Sequence, residues 1–139
     1  MRWNAVFCAA VLVIGAGASS AGDQVVQGSA AERSALFTKE AANALRVRDY
    51  AAAYTQSSRA IGLNAQNAQA LNYRAMALTQ MNRHQEAVRD AGAALALAPG
   101  NATILQTRSR AFSHEGKYQE GLKDADETLL RDAANAFAY

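Results

Sequence analysis

The chain of 139 residues contains one cysteine, one proline and one tryptophan, and only 7% of it is aromatic. Each scarcity excludes something. The lone thiol, Cys8, lies inside an apolar run near the start, so no disulfide framework can hold this protein together. The lone proline, Pro99, leaves almost the whole chain free of the residue that breaks helices. Charge of one sign is missing as well. The formal net charge is +2, and no run of lysines or arginines offers a track for phosphates, so nucleic acid is not expected as a partner. The two histidines, His84 and His114, stand thirty residues apart without a second ligand at metal-binding spacing. No nucleophile elbow and no glycine-rich phosphate loop after a strand occurs. The expectation is a protein with no catalytic residues, no metal and no cofactor.

What is abundant is alanine, at 34 residues, in a chain whose composition is 50% apolar. Alanine has the highest helix propensity and lets helix axes approach closely. The length allows one domain, two at most.

Residues 1–21 read as a secretory signal peptide. Arg2 gives a short positive start, Ala5–Ile14 is an unbroken apolar run, and Ser19 and Ala21 fit the small-x-small cleavage rule before Gly22. The run is too short for the roughly 20 apolar residues that cross a bilayer, so no membrane attachment is expected after cleavage. Cys8 lies within the run rather than at its end, which does not fit lipidation. Export to the periplasm or the exterior follows. Removal of Arg2 takes the net charge from +2 to +1 and leaves no cysteine. Residues 22–33 read as a flexible linker.

From Ser34 a period appears. Ser34–Asn67, Ala68–Asn101 and Ala102–Asn135 are each 34 residues long, align without a gap and end in asparagine. Near the middle of each unit lies a turn: Val47–Tyr50, Met81–His84 and Glu115–Tyr118. Apolar residues recur at three- and four-residue intervals on both sides, as with Leu71, Ala75 and Leu78 before the second turn and Ala87, Ala91, Ala94 and Leu95 after it. Each unit is predicted to be a helix–turn–helix. Pro99–Gly100 ends the second unit, and Asn101 is placed to cap the next helix.

On these residues the chain resembles the tetratricopeptide repeat family over about three-quarters of its length. The family places small residues at the eighth, twentieth and twenty-seventh positions, where paired helices cross. Ala41, Ala53 and Ala60 stand there in the first unit, Ala75, Ala87 and Ala94 in the second, and Ser109, Gly121 and Thr128 in the third. The third set departs most, and its glycine and threonine are expected to loosen that helix pair. The resemblance implies an all-α, right-handed α-solenoid of three repeats. Arg74 and Arg108 share one slot of successive units, and Asp90 and Asp124 share another sixteen residues on. These are expected to form structural ion pairs between helices, copied from repeat to repeat.

A solenoid of this family lines its concave face with the first helix of each pair, so a protein or peptide partner is the implied ligand. Asn72, Tyr73, Met76, Gln106, Arg110 and Arg46 are the candidate partner-binding residues. Amides suit an extended backbone, arginines suit carboxylates, and Tyr73 and Met76 suit an apolar side chain. The lysine, asparagine and arginine slots by which some family members clamp a terminal carboxylate hold Thr38, Ala42, Tyr73, Thr103 and Thr107 here, so that clamp is not expected. Ala136–Tyr139 read as the start of an incomplete following helix. Leu122, Ala125, Leu129 and Leu130 are then expected to lie uncovered, which suggests a fragment of a longer protein or self-association through that end.

Overall fold

A computed structural model describes residues 28–137. The expected signal peptide 1–21, Cys8, residues 22–27 of the expected linker and residues 138–139 lie outside the described residues. Six helices follow one another: α1 (Ala30–Arg46), α2 (Tyr50–Leu63), α3 (Ala68–Gln80), α4 (His84–Leu97), α5 (Ala102–Glu115) and α6 (Tyr118–Phe137).

The caps explain most of the starts. Asp49, Asn67 and Asn101 each accept a hydrogen bond from the backbone three residues on, at Ala52, Ala70 and Ile104. Ser29 and Glu32 form a reciprocal capping box, which starts α1 four residues before the 34-residue period. Ala30–Arg33, expected as linker, are therefore helical. The far end differs as well. The first two units close with Asn64–Asn67 and Ala98–Asn101, but the matching stretch Asp132–Asn135 has no breaker and two alanines. Helix α6 runs straight through it, so Ala136 and Phe137 extend α6 instead of opening another helix.

The turns within the units are built alike. Arg48, Asn82 and Gly116, each 34 residues from the last, adopt left-handed backbone with φ of 62°, 61° and 84°. Glycine adopts this conformation freely and asparagine tolerates it, whereas arginine pays a steric cost.

Packing follows from the small residues. Ala41, Ala53, Ala60, Ala75, Ala87 and Ala94 are all completely buried, so each crossing in the first two units is made by a methyl group. Leu71, Leu78, Ile104 and Leu105 fill the wider spaces between units. Every helix packs on the next in sequence, and the first helices α1, α3 and α5 also touch along a row. No corresponding contact joins α2 to α4 or α4 to α6 among the described residues. Close first helices and splayed second helices curve the stack, with α1, α3 and α5 on its inner side. The result is an all-α solenoid.

The third helix pair meets closely at Gly121. Gly121 is buried, and a Cβ there would lie 3.0 Å from the Ser109 carbonyl oxygen and 3.2 Å from Ser113 Oγ. The Ser109 hydroxyl donates to the Gly121 carbonyl at 2.7 Å, and the buried Thr128 hydroxyl donates to the Asp124 carbonyl at 2.9 Å. Glycine lets α5 and α6 approach closely at this crossing.

Candidate functional site

Three hollows follow the inner row of helices. The first, of about 350 Å³, lies at the C-terminal ends of α1 and α3 and is lined by Arg46, Arg48, Arg110, Met76, Tyr50 and Leu45, among others. The second, of about 390 Å³, lies between α3 and α5 and includes Asn72, Tyr73, Gln69, Asn101 and Thr103. The third, of about 340 Å³, lies between α1 and α3 and includes Lys39, Thr38, Asn67 and again Tyr73.

The six residues expected to bind a partner thus divide. Arg46, Met76 and Arg110 are brought together in one groove, and Asn72 and Tyr73 in the next. Gln106 is exposed on α5 and lines none of the three hollows. Asn72 is 4% exposed, and its Oδ1 has no hydrogen-bond partner among the described residues. A buried carbonyl oxygen left without a donor costs about 1–3 kcal/mol, so a donor arriving from a ligand would recover part of that. Tyr73 is half-buried, with its hydroxyl accepting from Gln69 at 2.9 Å.

Two groove residues carry no signal in the apolar periodicity: Arg48, which sits in a turn, and Tyr50, which opens α2. Comparison of the three turns would have found the first. Arginine stands where the other units have asparagine and glycine.

The arginine–aspartate pairs hold the stack. Arg74 on α3 grips Asp90 on α4 through two bonds of 2.6 and 2.8 Å and reaches Ser58 of α2 at 3.5 Å. Arg108 on α5 makes the same two-point grip on Asp124 of α6, at 2.7 Å twice. The hydrogen bonds they donate to the two aspartates, working against burial, push both guanidiniums above their ordinary value. Neither pair opens onto the hollows. At the opposite edge, Arg83 lies 5.0 Å from the centre of the Tyr54 ring and grips Glu86, whose carboxyl is held below its ordinary value by that hydrogen bond. His84 and His114 stack at 5.0 Å across the second and third units. Among the described residues no group of three His, Cys, Asp or Glu side chains is arranged to hold a metal ion. No helix among them is long and apolar enough to cross a membrane.

A concave row of small-residue helix pairs with hydrogen-bonding and cationic side chains facing inward defines a helical repeat scaffold. Comparison with known proteins sharpens this. Residues 68–101, the span of the second unit, match the tetratricopeptide repeat family. The fold is similar to the tetratricopeptide-repeat domain of Arabidopsis OM64, with a TM-score of 0.70 and 24% identity over 73% of this chain and 84% of that one. It is also similar to the second such domain of Spaghetti (RPAP3) bound to the HSP90 peptide SRMEEVD, with a TM-score of 0.67 and 24% identity over 70% of this chain and 90% of that one. A Thermobaculum terrenum O-GlcNAc transferase matches at a TM-score of 0.70 and 19% identity over 74% of this chain but only 20% of its own length. No curated protein sequence matches the chain. The central unit thus matches the tetratricopeptide repeat, and the fold of the six helices is similar to that of tetratricopeptide-repeat domains.

Proposed function

We propose that this protein is a non-catalytic, exported scaffold of the bacterial cell envelope that holds an extended segment of a partner protein along its inner helix row. The observation that carries the reading is the row itself. Three hollows of about 340–390 Å³ follow α1, α3 and α5, edged by unpaired guanidiniums and the unpartnered Asn72 oxygen. An extended peptide offers what this surface lacks: backbone N–H donors, and side chains at alternating positions. A similar domain, that of Spaghetti (RPAP3), is named as bound to a peptide.

The test uses the mature chain as bait in its own envelope fraction. Asn72→Ala combined with Arg110→Glu should remove the captured partner while helicity is unchanged. Undiminished capture would place the partner elsewhere. Export is checked by the mass of the protein recovered from that fraction, which should begin at Gly22. Recovery of the full-length chain from the cytoplasm would contradict it.

A second reading makes the protein a subunit of an assembly. One observation favours it: Tyr118, Leu122, Leu129 and Leu130 of α6 are 61–71% exposed, whereas α2 and α4 each pack on the first helix of the next unit. A light-scattering mass that stays monomeric at high concentration would remove self-association through α6.

A further inference from the structure

The slots by which a second helix meets the following unit change character in α6. Tyr54, Val88 and Leu122 share one such slot of successive units, and Ile61, Leu95 and Leu129 share another. In α2 and α4 these residues pack into the core that continues into the next unit. In α6, Leu122 and Leu129 are 61% and 67% exposed. The slots beside them change too: Ser58 and Gly92 give way to Asp126, and Asn64 and Ala98 to Asp132. Both carboxylates are exposed and form no ion pair among the described residues. With Asp124 and Glu127 gripped by Arg108 and Arg131, the charges of α6 left over are Glu120, Asp126 and Asp132 against Lys123. We propose that this acid-edged apolar stripe, separate from the inner row, docks a basic amphipathic helix of a different protein; the assignment rests on the reading of α6 as an assembly surface and names its partner.

The stack itself gives the register of the charge. Arg74 of α3 reaches back to the Ser58 hydroxyl of α2 at 3.5 Å. A helix laid on α6 in the same register brings its equivalent side chain to Asp126. A cation there gains a carboxylate that no described residue uses, in a charge-assisted bond. The rest of the pattern is read from α5, where Ile104 and Ala111 are buried on either side of Arg108. The partner helix therefore carries an apolar residue, a lysine or arginine four positions later, and a small residue three beyond that.

A second copy of this chain does not match. Its first helix, α1, holds Glu40 in the slot of Arg74 and Arg108, so Glu40 would meet Asp126 with like charge. Asn43 stands where Ala77 and Ala111 are completely buried, and its bulk would hold the helices apart. Sign and size both direct α6 to a different chain.

The experiment titrates isotope-labelled residues 22–139, read by two-dimensional amide NMR, with a peptide that has the required pattern. That peptide is residues 101–116, acetylated and amidated, and cross-linked between positions 106 and 110 to hold it helical. Both positions are exposed in α5. Shifts should centre on residues 122–136. Arg108→Glu in the peptide should weaken binding about tenfold or more, and Asp126→Arg in the chain should restore the affinity of that variant peptide. Leu129→Asp alters an exposed position, so it should remove binding at unchanged helicity. No binding, equal affinity of the two peptides, or shifts centred on α1, α3 and α5 would each overturn the proposal. The assembly reading is decided apart from it, by mass. Light scattering should show a monomer. An oligomer that Leu129→Asp dissolves would uphold assembly through α6 and overturn the different protein as its occupant.

Discussion

At the scale of single residues, this fold is governed by how little space each crossing allows. Ala75 and Ala87 are completely buried, so Ala75→Leu or Ala87→Leu has nowhere to place the added carbons and should cost about 1–3 kcal/mol in urea denaturation. Gly121 tests the same idea with the opposite bias. On an open helix Gly121→Ala would gain about 0.5–1 kcal/mol in helix propensity. Here the new methyl would lie 3.0 Å from a backbone oxygen of α5, so the substitution should lower the midpoint. A raised midpoint would show that α5 and α6 are not in close contact. The ion pairs rank by burial. Asp124, at 6% side-chain exposure, should cost about 2 kcal/mol on conversion to asparagine, between a fully buried pair and an exposed one. Glu127→Gln, at the exposed pair with Arg131, should cost about 0–1 kcal/mol.

Among the elements, the asparagine ending the first unit does more than cap. Asn67 Oδ1 accepts from the Ala70 N–H at 3.0 Å, while Nδ2 donates to the hydroxyls of Ser34 and Thr38 at 3.0 and 2.9 Å. It joins the start of α3 to the buried face of α1, and Ser34 in turn donates to the Ala60 carbonyl of α2 at 2.9 Å. Asn67→Ala should therefore cost at least the roughly 0.5–2 kcal/mol of a lost cap, and more than Asn101→Ala, whose side chain shows the cap bond alone. The helix pairs and their turns were legible because a gapless 34-residue period fixes every slot at once. The arginine–aspartate slots were legible for the same reason. Helix ends were less so. The capping box at Ser29 and Glu32 lies outside the period, and the missing breaker at Asp132–Asn135 shows only when that stretch is set beside Ala98–Pro99–Gly100. The burial of Asn72 was not legible at all. It depends on how closely α3 is flanked by α1 and α5, a distance set by tertiary packing rather than by pattern.

For the molecule as a whole, curvature is the functional property. First helices touch in a row while second helices do not, so the stack closes around one side and presents that side's polar atoms to a ligand. The central claim is that partners dock on this inner row. It is tested most directly by two-dimensional amide NMR of isotope-labelled residues 22–139, titrated with the partner captured from the envelope fraction. Shifts should centre on α1, α3 and α5 and on the turn from Arg48 to Tyr50, strongest near the hollows lined by Arg46, Met76, Arg110, Asn72 and Tyr73. Shifts centred on α2, α4 and α6 would contradict it.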